Sequence, residues 1–425
     1  MSATAVAKMT SADADARLAG FAGRRGWQIG GLGAALTLGV CVIWIGAAWV
    51  EMAQTGQSAI AVDFRVGWAA ARLALEGAPL DAFDPARLNA VHGVAMDEWM
   101  PWVYPPGYLA ALMPLGLLPF GWAWALFTAL SVAAILAAVR PFAAGLLPVQ
   151  LGFALAPTTL SALLLGQTSL LWSAGLLAAL AALRAERAAL AGVFIGLLTL
   201  KPQLGLLIPA ALLAAGAWRT ILAAAVTALL LAAGPTLLFG PGYWPQLLGT
   251  MDSVFAELRG AVPDVPLMIS PYSALAGLGL PEAAALTLQW GLTAIAAGAV
   301  AFAWRSPGAG FDLRAAVLLA AIPLSSPYLW HYESALLAPA ALFIIRAGVV
   351  PTRGAGLLLP AALWLGLGPS ILLQLFAEGA QMPFRLVFAP LALLSFGTCV
   401  AALWSRHRAP GGPDASSAAD PTHLK

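Results

Sequence analysis

The chain alternates long apolar runs with short polar segments, a pattern that predicts membrane-spanning helices. The first run covers residues 29–50, and comparable runs recur along nearly the whole length. Each approaches the roughly 20 apolar residues that a helix needs to cross a bilayer. The runs are continuous, as in 222–238, whereas strands of a transmembrane barrel alternate apolar and polar residues. We therefore predict an all-α, polytopic membrane protein.

Basic residues predict how these helices are oriented. Four of them precede the first run, which places the N-terminus in the cytoplasm by the positive-inside rule. Between residues 166 and 408, arginines occur in every second segment that connects two apolar runs. The arginine-containing segments are therefore assigned to the cytoplasm and the others to the outer face, which predicts about nine crossings. Residues 104–166 are predicted to begin and end on the outer face, so they must cross the membrane an even number of times. They nevertheless contain three apolar runs. Either one run is re-entrant, or the third breaks at Pro157 into two short helices.

The predicted organisation is a transmembrane domain of 12 or 14 helices over residues 28–405. A cytoplasmic tail covers 1–27, and a polar tail at 406–425 is expected to be disordered in the cytoplasm. The first twenty residues are expected to be disordered as well. The two large loops, 51–102 and 240–282, are predicted to face the periplasm.

The loop 51–102 is the largest polar segment between the predicted helices. Within it, residues 67–75 and 86–95 have the pattern of short amphipathic helices lying on the membrane surface. A long ordered loop of this kind tends to carry function.

Composition excludes several classes of protein. Hydrophobic residues make up 61% of the chain, charged residues only 9%, and the formal net charge is +2. A soluble domain has about a quarter charged residues, so a soluble enzyme, a disordered chain and a nucleic-acid-binding protein are all excluded. The sequence contains no zinc-ligand cluster, Walker motif or dinucleotide-binding loop, and we predict neither a metal nor a cofactor.

Asp63 is the first candidate for chemistry. It follows the end of the first predicted helix and is expected near the outer membrane surface. A partly desolvated carboxylate there can act as a general base toward a hydroxyl. The alternative is a structural aspartate that caps a helix or pairs with Arg65.

Two further polar segments interrupt apolar runs. Lys201, one of three lysines, precedes Gln203 between two predicted helices, where it either binds an anion such as phosphate or extends to the lipid headgroups. His331 and Glu333 lie among aromatic residues, which suits either a phosphate and sugar site or an interfacial aromatic belt.

Tyr104 and Gln167 have weaker signals. Tyr104 precedes two prolines and either starts a helix or contacts a ligand, and Gln167 either caps a helix or joins a site. The candidates nevertheless share one predicted membrane face, which favours a common site. They are Asp63, Tyr104, Gln167, Lys201, Gln203, His331 and Glu333.

Short motifs spread over about residues 30–400 resemble the bacterial glycosyltransferase family 87, also called DUF2029, of the GT-C membrane superfamily. In chain order they occupy residues 63–70, 77, 83–85, 104–106, 166–167, 192–203, 243–244, 273–280 and 326–331. Each motif is short, and their order and spacing together carry the resemblance.

The resemblance implies a bacterial inner-membrane enzyme with a periplasmic active site. Characterised members resemble mannosyltransferases that move a sugar from a polyprenyl-phosphate donor to a lipid or glycan acceptor with inversion. The family's catalytic aspartate maps onto Asp63, and its outer-face histidine maps onto His331. From their residue types and positions, Lys201 and His331 are predicted to bind the donor phosphate, and Arg65 is expected to face this phosphate rather than pair with Asp63.

Two other function classes are compatible with the pattern. A transporter or flippase for a lipid-linked substrate would place polar residues near the bilayer midplane in paired, broken helices. A polymerase or ligase of surface polysaccharide would share the outer-face site but use a diphosphate-linked oligosaccharide. The charges near one membrane face and the large loop favour the glycosyltransferase.

Overall fold

The computed structural model describes residues 11–55, 61–93, 102–251, 267–376 and 384–408. Over these ranges the secondary structure is helical, apart from one isolated antiparallel β-bridge between Met268 and Trp330. The prediction of an all-α protein is confirmed. The predicted disorder of the C-terminal tail concerns residues that, after 408, lie outside the described ranges. Residues 252–266 of the second large loop lie outside them as well.

Seven helical segments in the described ranges are long and apolar enough to cross a membrane, which confirms a polytopic membrane protein. They are Gly30–Glu51, Phe120–Phe142, Leu147–Leu165, Trp218–Phe239, Glu282–Arg305, Pro307–Leu324 and Phe384–His407. Four shorter apolar helical segments accompany them: Ser169–Arg184, Ala188–Leu200, Pro202–Ala214 and Gly354–Leu365. The total of 12 or 14 crossings stays a prediction, because several runs are divided into pieces shorter than a bilayer.

The N-terminal region contains an ordered helix where disorder was predicted. Helix α1 (Ser11–Ala22) precedes α2 (Arg24–Thr55), the first membrane-length helix. Ala14 and Leu18, four residues apart on one face of α1, are both buried. The prediction of disorder is therefore wrong for residues 11–20, because this apolar face packs against the protein.

The loop between the first two membrane helices folds into two helices. They are α3 (Val62–Leu75) and α4 (Pro85–His92). Asp84 caps α4 by accepting a hydrogen bond from the backbone N–H of Ala86 at 2.9 Å. Helix α3 is buried along most of its length, chiefly against α5 (Pro106–Gly116). The small residues of α3 allow this close helix packing, and its position on the membrane surface stays a prediction.

The ambiguous region 104–166 forms four helices. They are α5 (Pro106–Gly116), α6 (Phe120–Val139), α7 (Leu147–Ala154) and α8 (Leu160–Leu165). A 3₁₀ turn at Pro157–Thr159 separates the last two. The predicted break at Pro157 is present, because proline cannot donate the backbone hydrogen bond that would continue α7.

The rest of the described chain packs mainly as helical hairpins around an apolar core. Helices α9 (Ser169–Arg184) and α10 (Ala188–Leu197) form one such hairpin, and α10 also packs against α12. The other helices follow in this order: α11 (Ile208–Ala214), α12 (Trp218–Phe239), α13 (Pro271–Gly277), α14 (Glu282–Arg305), α15 (Gly310–Ala321), α16 (Leu337–Arg346), α17 (Leu358–Leu365), α18 (Gly368–Phe376) and α19 (Phe384–His407). Helices α15 and α16 are almost entirely buried and form the centre of the core.

Candidate functional site

Gln167 is the centre of a buried polar network that joins three distant parts of the chain. Its Nε2 donates a 2.6 Å hydrogen bond to Oδ2 of Asp63 at the start of α3. Its Oε1 accepts from the Tyr104 hydroxyl at 3.0 Å and lies 3.4 Å from Nζ of Lys201. Two donors on the carbonyl oxygen orient the amide, so that its NH₂ group is directed at the aspartate. Gln167 does not cap a helix.

A glycine turn brings Gln167 to Asp63. Gly166 ends α8 with a φ of 68°, a left-handed conformation that favours glycine. A Cβ atom at this position would lie 2.5 Å from Cβ of Phe64, the residue next to Asp63. Glycine is thus required both for the turn and for the close approach of α3.

Lys201 has a carboxylate partner within the protein. Its Nζ lies 2.6 Å from Oε1 of Glu333, 3.3 Å from Oγ of Ser169, and 4.6 Å from the ring centre of Tyr332. The lysine side chain is 3% exposed and the glutamate side chain fully buried. The lysine therefore does not extend to headgroups, and the anion that it contacts here is Glu333.

Glu333 and His331 are carried by a short 3₁₀ helix, His331–Leu336, which the surrounding backbone holds in place. The N–H of His331 donates to the carbonyl of Leu267 at 2.9 Å. The Ser334 and Thr158 side chains each donate to the other's carbonyl oxygen, at 2.9 and 2.7 Å. Glu333 also accepts from the N–H of Trp330. These bonds fix the backbone that carries both titratable residues, and the last one also fixes the Glu333 side chain.

His331 lies beside this network in an aromatic environment. Its ring stacks on Phe384 at 5.7 Å between centres and lies 5.4 Å from the ring of Tyr332. Its Nδ1 is buried without a hydrogen-bond partner. Burial lowers the pKa of His331 to about 4, so the imidazole is neutral at pH 7. A neutral, unpaired ring nitrogen can donate or accept one hydrogen bond from a ligand.

The environment of Asp63 makes its carboxylate more basic. Burial raises the pKa of Asp63 to about 6, opposed by the hydrogen bond from Gln167 and the charge of Lys201 and assisted by the charge of Glu333. Burial also raises the pKa of Glu333, against the effect of Lys201. A carboxylate that is ionised at neutral pH but titrates near pH 6 suits proton abstraction.

Aromatic side chains form one wall of the site. Tyr104 contacts the rings of Trp102 and Tyr108, with ring centres 5.1 and 4.9 Å apart, and these two rings stack on each other. Tyr104 thus has more than the helix-start role that its two following prolines suggest, because its hydroxyl also orients Gln167.

Two predicted site residues have other surroundings. Arg65 does not pair with Asp63; its Nη1 donates to the carbonyl of His92 at 3.2 Å, and its guanidinium lies 3.9 Å from the ring centre of Phe120. Residues two apart on an α-helix are separated by about 200° around its axis, so Arg65 faces away from Asp63. Gln203 is half-buried in a 3₁₀ turn after Lys201, and within the described part of the chain its side chain makes no hydrogen bond to the network.

Two residues in the network were not singled out from the sequence. Ser169 lies two positions after Gln167, and Tyr332 lies between His331 and Glu333. Their nearness in sequence to the candidates Gln167, His331 and Glu333 is the signal that could have identified them. Among the described residues, no group of three or more His, Cys, Asp or Glu side chains has the arrangement of a metal site.

An apolar cavity of about 680 Å³ begins beside the network. Lys201, Thr168 and Tyr108 line one end, and Pro141 and Arg187 line the other. The network therefore borders an apolar space that is lined by α6, α9 and α10.

A protein-family model described as glycosyltransferase family 87 matches residues 102–327, more than half of the 425-residue chain. The matched stretch contains Tyr104, Gln167 and Lys201, whereas Asp63 and Glu333 lie outside it. No curated protein and no solved structure matches the chain. The buried polar network thus occurs in a multi-pass membrane protein, and the extent of the match shows that this chain belongs to glycosyltransferase family 87.

Proposed function

We propose that the protein transfers a hexose, mannose by resemblance, from a polyprenyl-phosphate donor to a lipid or glycan acceptor on the periplasmic face of the bacterial inner membrane, with inversion. The observation that carries this proposal is the half-buried carboxylate of Asp63, oriented by Gln167 at 2.6 Å. The apolar cavity beside the network supports a donor with a lipid chain.

The reaction needs one proton acceptor near the acceptor hydroxyl. In the proposed step, Asp63 takes the hydroxyl proton while the acceptor oxygen forms a bond to the anomeric carbon. The bond from that carbon to the phosphate oxygen breaks, and the polyprenyl phosphate leaves with the electron pair. Attack opposite the leaving group inverts the anomeric centre. Gln167 holds the carboxylate by one oxygen, which leaves the other oxygen for the hydroxyl.

The donor phosphate requires hydrogen-bond donors near the site. His331 supplies an unpaired Nδ1, and we assign it to the phosphate. Lys201 was expected to bind the phosphate as well. Its contacts with Glu333, Gln167 and Ser169 occupy its three N–H groups and favour an orienting role for it instead.

The proposal is tested with purified protein in liposomes that contain a polyprenyl-phosphate mannose and a mixture of lipid acceptors. We expect sugar transfer by the wild type and a loss of about 10²–10⁴-fold in Asp63→Asn, which keeps shape but removes the proton acceptor. Asp81→Asn is the matched control, because this aspartate of the same loop is paired with Arg87 at the surface.

Equal rates for Asp63→Asn and the wild type would show that the base lies elsewhere, with Glu333 as the next candidate. Activity with a diphosphate-linked oligosaccharide, and not with the monophosphate donor, would instead assign a polysaccharide polymerase or ligase. Movement of the intact lipid-linked sugar across the bilayer without transfer would assign a flippase.

A further inference from the structure

The cavity beside the polar network has a defined floor and two walls. Its floor is α9, whose small residues Gly175, Ala178 and Ala181 leave the space open. One wall is the second half of α6, which includes Ala137, and the other is α10, which includes Phe194. Helices α6 and α10 each pack extensively against α9 but have few contacts with each other, so the space between them follows the length of α9.

The dimensions of the cavity fit a single hydrocarbon chain. Helix α9 has 16 residues, and at 1.5 Å per residue its length is about 24 Å. The volume of about 680 Å³ is distributed along this length, and its lining is almost entirely apolar. Ligand sites of 300–1,000 Å³ usually enclose one small molecule. A long, narrow, apolar site suits a chain rather than a sugar.

The position of the cavity indicates which chain it holds. One end meets Lys201 and Thr168, next to Gln167, so a lipid head placed there lies beside the proposed base. Leu190 and Leu197, which line the space from α10, are also exposed on the outer surface of the protein. A chain can thus enter from the bilayer while its head group remains at the network.

We propose that this cavity binds the first part of the polyprenyl chain of the donor, with the phosphate end of the chain at Thr168, beside the network, and the apolar end toward Arg187. This inference rests on the proposed function for the identity of the donor, and it adds a site that selects chain length. Ala178 lies nine residues after Ser169, so it is reached by a chain that extends roughly 14 Å from the head-group end. Only chains longer than this gain contacts beyond Ala178.

The test compares the binding of two-isoprene and ten-isoprene phosphates to protein in nanodiscs, by displacement of a fluorescent prenyl phosphate. Each methylene group that remains unburied weakens binding by about fourfold. We therefore expect Ala178→Phe to reduce affinity for the ten-isoprene phosphate at least tenfold and to leave affinity for the two-isoprene phosphate unchanged.

Two further variants keep the test decisive. Ala137→Phe fills the cavity from the exposed side of α6 and should give the same chain-length-dependent loss if Ala178→Phe does not fold. Ala225→Phe adds the same side chain at an exposed position of α12, outside the cavity, and should change neither affinity.

The outcomes separate this inference from the proposed function. Equal losses for both chain lengths, or no loss for either, would overturn the cavity assignment, as would equal displacement of the probe by an ordinary phospholipid. If the wild type binds the ten-isoprene phosphate in this chain-length-dependent manner but transfers no sugar from any polyprenyl phosphate, the proposed function is contradicted. The assignment of the lipid site then still stands.

Discussion

Gln167 and Asp63 are 104 residues apart in the sequence and are joined by a 2.6 Å hydrogen bond inside the protein. Asp63 belongs to the helical loop after the first membrane helix, whereas Gln167 belongs to the turn between α8 and α9. The bond fixes the carboxylate and opposes the rise in its pKa that burial causes. A single amide thus controls both the geometry and the basicity of the proposed base.

The pH dependence of transfer should follow Asp63. Because this carboxylate must be ionised to accept a proton, kcat/KM should fall tenfold per pH unit below about pH 6. Gln167→Leu removes a hydrogen bond to the ionised form, which is worth about 1.5–3 kcal/mol, and should raise the pKa by about one to two units. The acidic limb of the pH–rate profile then moves to higher pH.

Ser169→Ala is the control for this measurement, since the serine contacts Lys201 but not Asp63. An acidic limb at the same pH in Gln167→Leu and the wild type would mean that Asp63 is not the group that titrates.

The ion pair between Lys201 and Glu333 should be essential for stability. Lys201→Met leaves Glu333 buried without its partner, which costs about 3–5 kcal/mol. We expect a clear decrease in the thermal unfolding midpoint in detergent. The double variant Lys201→Met/Glu333→Gln removes both charges and should recover most of the midpoint, yet remain slow in sugar transfer because Gln167 loses one of its orienting donors. A double variant no more stable than the single one would disprove this account.

Gly166 should be required for the close approach of α3 to the α8–α9 turn. Gly166→Ala adds a Cβ atom 2.5 Å from that of Phe64 at a φ of 68°, and should lower both stability and sugar transfer. Gly145→Ala is the matched control: its φ is 72°, but no atom lies within 4 Å of the added Cβ. Gly145→Ala should lower the free energy of unfolding only by the cost of placing alanine in a left-handed backbone conformation, about 1 kcal/mol. Equal effects on transfer in the two variants would argue against a steric role for Gly166.

The docking of α1 should depend on the buried Arg346. This arginine donates to Asp15 at 2.6 Å and to Asp312 at 2.7 Å. Asp15→Ala removes one of these acceptors, so we expect α1 to become accessible to protease and the unfolding midpoint to fall. Asp81→Ala breaks the exposed pair with Arg87 and should cost less than about 1 kcal/mol. Unchanged proteolysis of α1 in Asp15→Ala would show that its apolar face alone holds it.

The proposed membrane orientation can be tested by cysteine labelling in a background that lacks Cys41 and Cys399. Ala82 is only 1% exposed, so Ala90→Cys, on an exposed position of α4, is the better probe of the first large loop. Gly308→Cys reports the opposite face. An impermeant reagent added outside the inner membrane should label residue 90 and not residue 308, and the reverse pattern would invert the topology.

The sequence by itself determined the class of the protein, and it offered the break at Pro157 as one of two alternatives. Continuous apolar runs predict helices because the bilayer excludes unpaired backbone groups, and Pro157 ends α7 through a missing N–H. Both effects act over a few neighbouring residues and can be identified in a single chain. The prediction that the polar candidates share one membrane face likewise rests on local patterns.

Only the tertiary structure decided which polar groups become partners. The anion for Lys201 is Glu333, and the partner that orders α1 is Arg346, each far away in the chain. Arg65 lies away from Asp63 because of the helical turn between them, although the two are neighbours in sequence. Buried charges must find partners in a medium that solvates them poorly, and the fold determines which partners are within reach.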